Sequence, residues 1–229
     1  MATACARNRY FHRARLSERK FRDVVRCFST DVNASDTARL TGISVRSVNS
    51  IYLKIRRRMA ADSERLSVFN ELPDNSGGIV AVTALPQAGL GATGRTPLLF
   101  GIHRCNDQIY TELVPECASP ILYDGLRGRL QLCSVFDPQD WVSRYHAIAD
   151  LSSGRYLRLQ WHGSQFPSNP LPINGHEAFW GFAKRRLAQF RGLHRHTFYL
   201  HLMETEYRFN HPRDETYPRL LAMLRERPL

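Results

Sequence analysis

The sequence predicts an α/β domain preceded by an all-α helix-turn-helix module, and three observations carry that expectation. Strand-like runs come first as a hairpin, strands and helices then alternate, and the chain closes on helices, which is an α/β order. Ahead of them a short helix, a glycine turn and a capped basic helix follow one another. A length of 229 residues accommodates one substantial core plus a small extra module. The division is expected as 1–62 for the helical module and 63–229 for the α/β domain.

In the first module Leu16, Phe21, Val24, Val25 and Phe28 fall on one helical face, and Ser17 is placed to cap the first turn. A second helix is expected from Ser35 to Thr41 with Ala38 and Leu40 facing inward, and Gly42 supplies the backbone freedom of a tight turn. Ser44 is the expected N-cap of a third helix, whose Val45, Val48, Ile51, Tyr52 and Ile55 repeat at three and four residues as a buried stripe. Arg46, Asn49, Lys54, Arg56, Arg57 and Arg58 are left for its other faces and its end. This is the layout of a helix-turn-helix, whose second helix enters the major groove of DNA. A helical hairpin with a solvated basic face is the alternative. The charge balance favours DNA: 32 Lys and Arg against 21 Asp and Glu give a formal net charge of +11, which suits a polyanionic partner. Arg46, Asn49, Lys54, Arg56 and Arg57 are therefore the expected DNA contacts of this module.

From Asp62 to Gly94 prolines and glycines punctuate a stretch with one apolar run, Ile79 to Val82, read as a linker, a short strand and a glycine-rich loop. Strands follow at Pro97 to His103 and Gln108 to Val114, with Asn106-Asp107 as their turn. Next are expected a helix at Ser119 to Arg129, a strand at Gln131 to Phe136, a short helix from Trp141 to Leu151 and a strand at Tyr156 to Trp161. Helices at Gly175 to Phe190, Thr197 to Phe209 and Thr216 to Arg225 complete the chain.

Several classes are disfavoured. No apolar run approaches the roughly 18–20 residues of a spanning helix, and the first residues lack an apolar signal-peptide centre, so a cytoplasmic protein without a membrane partner is expected. The five cysteines form no CxxC pair and read as free thiols. His194 and His196 have no further ligands around them to make a zinc set.

Two long strings are more specific. Ile173-Asn174-Gly175-His176-Glu177-Ala178-Phe179-Trp180-Gly181-Phe182-Ala183-Lys184-Arg185-Arg186-Leu187 is followed by Phe190-Arg191-Gly192, Thr197 to Leu202, and Glu206-Tyr207-Arg208-Phe209-Asn210-His211. Upstream stand Gly94-Arg95-Thr96-Pro97, Phe100-Gly101 and Ile109 to Pro115. Together they resemble a bacterial insertion-sequence transposase of the DDE, RNase H-like superfamily, over most of the chain. The resemblance implies an RNase H-like mixed sheet with flanking helices, cleavage and strand transfer at phosphodiester bonds, and carboxylates holding two Mg²⁺ ions about 4 Å apart. It implies binding to double-stranded DNA at terminal inverted repeats, a homo-oligomer on paired ends, and residence at the bacterial nucleoid.

Glu177 matches the family's third acid. Asp140, just past a strand and beside Trp141 and Tyr145, matches the second, with Asp137 as its rival because the family's glycine between Asp and Trp is missing here. With Glu177 it makes the implied metal pair. The first acid, carried in the family by an Asp-Glu-Ser-like tripeptide, has no counterpart between Phe69 and Gly94, so that motif reads as degenerate. Chain spacing puts the acid's place near Ser76, with Asp74 the carboxylate close by, although an Asp between Pro73 and Asn75 is usual turn chemistry. Lys184, Arg185 and Arg186, on the Glu177 helix, are expected at phosphates, or else as a solvated basic face. A non-catalytic DNA-binding protein derived from a transposase is the alternative function.

Overall fold

The computed structural model describes residues 8–12, 16–70, 99–114, 145, 147–151, 155–158, 175–188 and 195–229. In chain order the elements are α1 (Glu18–Ser29), α2 (Ala34–Thr41), α3 (Val45–Leu66), a 3-10 turn (Val68–Asn70), β1 (Leu99–Cys105), β2 (Gln108–Leu113), β3 (Ala147–Asp150), β4 (Arg155–Arg158), α4 (Gly175–Leu187), α5 (Arg195–Asn210) and α6 (Arg213–Glu226). They form two compact units, one of Met1–Glu64 with Asn210–Leu229 and the other of Arg65–Phe209. The described part is a mixed α and β structure in which helices predominate.

The first unit is all helical. Ser17 caps α1 by accepting from the Lys20 N–H at 3.4 Å, which meets one of the amide donors a helix start leaves unpaired. Phe21, Val24, Val25 and Phe28 are buried on its inner face, as their spacing predicts; Val48, Ile51, Tyr52, Ile55 and Met59 of α3 are buried too, and Phe28 meets Tyr52 edge-on at 4.8 Å. Two expected core positions are not core: Leu40 is 72% and Val45 43% exposed. The inner position of the short α2 goes instead to Thr37, which is fully buried, and Val45 stands at the first residue of α3, ahead of its buried stripe. The last helix also belongs here, because α6 packs along α1. Leu229 exchanges backbone hydrogen bonds with Tyr10 and His12 at 2.9 and 3.0 Å.

The second unit holds a four-stranded antiparallel sheet in the order β2-β1-β3-β4. Asn106 and Asp107 take φ of 48° and 62°, the two positive values of the tight turn that matches strand twist. The expected short helix over Trp141 to Leu151 is corrected: Ala147–Asp150 is an interior strand, paired with β1 on one side and β4 on the other. A short apolar run carries too little periodicity to separate the two readings, and here pairing on both edges decides it. Glycine at 101 leaves β1 room for the Tyr145 ring, from which a Cβ there would lie 2.1 Å. Tyr145 in turn donates to Glu112 Oε2 at 2.7 Å.

β2 is an edge strand of the described sheet, and α5 covers it. The buried Glu206 carboxylate accepts from both the Thr111 N–H at 2.6 Å and its hydroxyl at 2.7 Å, satisfying an outward-facing backbone donor that an edge otherwise leaves unpaired. Helix α4 lies against β1 and β2, with Gly175 letting the Arg104 side chain pass close to its first turn. The expected helix at Ser119 to Arg129 and the strands at Gln131 to Phe136 and Ile79 to Val82 lie outside the described residues.

Candidate nucleic-acid interface

A rigid helix, tight turn and helix are assembled from short-range chemistry. Asn33 caps α2, its side-chain oxygen accepting from the Asp36 N–H at 2.9 Å. Arg39 and Asn33 both hydrogen-bond the Asp36 carboxylate, and the Arg39 bond first, then Asn33, hold that carboxyl below its ordinary range. Gly42 closes α2 at φ 66°, ψ 27°, the left-handed region where a side chain is strained. Ser44 Oγ then accepts from the Ser47 N–H at 3.2 Å and caps α3.

One hydroxyl ties these pieces together. Tyr52 of α3 donates to the Val32 carbonyl at 2.9 Å and lies 2.7 Å from Thr37 Oγ1. A phenol has a single proton, so Thr37 must be the donor of the second bond. Tyr52 therefore fixes both the approach to α2 and the helix itself. Nothing in the spacing of Thr37 and Tyr52 announces this link, which needs the fold to bring them together.

At 100° per residue, Arg46, Ser50, Leu53 and Arg57 lie within about 40° of one line along α3, opposite its buried stripe. All four are exposed, and so is Asn49 beside them. Asn49 and Arg56 flank one side of the line, Lys54 and Arg58 the other. Arg56 sits over the rings of Phe28 and Tyr52 at 5.5 and 5.8 Å, and the Lys54 ammonium over Phe11 at 4.3 Å. Such cation–π contacts hold a cation in place while keeping its charge.

The second unit distributes its expected site residues unevenly. Lys184 and Arg185 are exposed on α4. Arg186 is placed inward: 14% exposed, it donates to Glu204 Oε1 at 2.8 Å, and Arg208 grips the same buried carboxylate at 2.9 Å. Glu177 is exposed in the first turn of α4. Asp140 and Asp74 lie outside the described residues, as does the rival Asp137. Among the described residues no three His, Cys, Asp or Glu side chains gather closely enough to hold a metal ion. Mg²⁺ needs several oxygen ligands, so the described part alone does not make its site. Among the described residues no helix is long and apolar enough to cross a membrane.

No protein-family model and no solved structure matches the chain. Over 117 residues, 51% of its length, it is 31% identical to an uncharacterized transposase-like protein of Haemophilus influenzae, and the match covers 93% of that protein. By that identity and coverage the chain belongs to the transposase-like proteins.

Proposed function

We propose that the first unit is the duplex-DNA-binding module of a transposase-derived protein, with α3 as the helix that enters the major groove and reads terminal repeats. The observation that carries this reading is the exposed line Arg46, Asn49, Ser50, Leu53 and Arg57, presented by a turn locked through Tyr52. From Arg46 to Leu53 its chemistry suits base edges: Arg donates to guanine O6 and N7, Asn pairs with adenine, and an apolar group such as Leu53 meets the thymine methyl. Membership of the transposase-like proteins supports DNA as the partner.

The experiment is selection from random duplexes by the full chain, followed by sequencing of what is retained. Enrichment of a common motif, altered or lost in Asn49→Ala, is expected. Retention of no duplex would remove the proposal.

A second reading adds catalysis. The second unit would be RNase H-like, and Asp140 and Glu177, with Asp74 as the candidate third carboxylate, would bind Mg²⁺ for phosphodiester cleavage and strand transfer. Glu177 supports it by standing exposed on a helix packed against the β1–β2 hairpin. Mg²⁺-dependent nicking of supercoiled DNA, lost in Glu177→Ala, is the expected result; nicking that persists in the variant would sink this reading.

A further inference from the structure

At the far end of the α3 line lies an open notch of about 270 Å³ lined by Lys54, Arg57, Arg58 and Leu229. Three of its four lining residues carry cationic side chains, and the fourth, Leu229, contributes the last carboxyl of the 229-residue chain, so the side chains leave the notch with a net excess of positive charge. Lys54, Arg57 and Arg58 stand three and four residues apart and so share one flank of the helix. Two of the cations are held from behind: Lys54 by the Phe11 ring, and Arg58 by the Pro228 carbonyl, to which Nη2 donates at 2.9 Å. A guanidinium carries five N–H donors, so that one bond leaves Arg58 able to donate into the notch.

We propose that this notch is a phosphate-binding site that takes one backbone phosphodiester of the bound duplex, and so sets the depth and register of α3. The inference rests on the DNA-binding reading above. Spacing supports it independently of charge. Arg57 is eleven residues beyond Arg46, about 16 Å along a helix axis, and seven beyond Ser50, about 10 Å. The major groove is about 12 Å wide, so with Arg46 to Leu53 at base edges, Arg57 reaches the groove wall, where the phosphates lie. A mouth open to solvent fits a phosphate that remains part of a long polymer.

The test measures the affinity of the full chain for duplexes of several sequences as salt is raised. Each phosphate contact contributes about 0.9 to the slope of log affinity against log salt. Arg57→Gln is expected to lower that slope by about 0.9 and to weaken every duplex by the same factor. Between 50 and 200 mM salt the variant should therefore lose about 3.5-fold less affinity than the parent. Lys54→Gln should act alike, while Lys54→Arg retains the slope; this pair separates loss of charge from loss of fold. An unchanged slope in Arg57→Gln, or a loss confined to one sequence, overturns the proposal. Should the parent chain bind no duplex, the DNA-binding reading fails, and titration with inorganic phosphate decides the notch alone. Shifts of the Arg57 and Arg58 Nε–H resonances, abolished by Arg57→Gln, would keep it as a site for free phosphate; absence of shifts would eliminate it.

Discussion

Replacing Tyr52 by Phe removes one oxygen and leaves the ring with its neighbours, edge-on to Phe28 at 4.8 Å and under the Arg56 guanidinium. What disappears is the donation to the Val32 carbonyl and the acceptance from Thr37. Each hydrogen bond contributes roughly 0.5–1.5 kcal/mol net, and a buried partner left unsatisfied raises the loss. Thr37 is fully buried, so the first unit should lose about 2 kcal/mol. For a domain of 60–100 residues this corresponds to a fall of roughly 8–16 °C in the melting temperature of that transition. The two units need not unfold together, so the assay follows helical ellipticity and resolves two transitions. Thr37→Val supplies the second leg of a double-mutant cycle. The two changes remove the same bond, so the double variant should cost about 1 kcal/mol less than their sum. A Tyr52→Phe loss below about 0.5 kcal/mol, or strict additivity with Thr37→Val, would refute the claim that this hydroxyl locks the turn.

Three further outcomes are expected. Gly101→Ala should destabilise the second unit by about 3 kcal/mol or more, because its Cβ would fall 2.1 Å from a Tyr145 ring that is itself buried and tied to Glu112; thermal unfolding of the purified variant checks it, and an unshifted second transition would contradict it. Glu206→Ala strips the cover from the β2 edge, at a cost of about 2 kcal/mol; hydrogen exchange at the Thr111 amide should accelerate markedly, and unchanged exchange would show that the carboxylate does not protect it. Arg186→Met removes one of the two arginines on the buried Glu204 and should lower stability by about 2 kcal/mol, with Arg208 left to compensate the charge. Its salt dependence of DNA binding should equal that of the parent, and a shallower slope would instead place Arg186 at a phosphate.

The parts of the fold legible in the sequence are those set by near neighbours. Ser17 and Ser44 were readable as caps because a side-chain oxygen three residues before an amide is a local arrangement, and Asn106-Asp107 because both residues tolerate positive φ. Helix periodicity placed α1, α4, α5 and α6 and the start of α3 to within a few residues, whereas α3 runs on to Leu66, past the end expected near Ala60. Where distant partners decide, the pattern gave less. Ala147–Asp150 is a strand because β1 and β4 pair with it, Leu40 is exposed because Thr37 answers Tyr52, and Arg186 turns inward because α5 presents Glu204. The packing of α6 along α1 joins residues from the two ends of the chain, and no local signal marks it. In the candidate interface, the residue types on α3 were legible from the stripe they avoid. The anchoring of Lys54 on Phe11 and of Arg58 on the Pro228 carbonyl was not, since both partners lie far away in sequence.

The central claim, that the exposed line of α3 reads DNA, is tested most directly by the affinity of the full chain for its selected duplex, measured by fluorescence anisotropy at fixed salt for the parent, Arg46→Ala and Asn49→Ala. A base-reading contact is worth about 1–3 kcal/mol, so each variant should bind roughly 5- to 150-fold more weakly to the selected sequence while binding to unrelated duplex changes little. Equal affinity of all three proteins for the selected duplex would contradict the account.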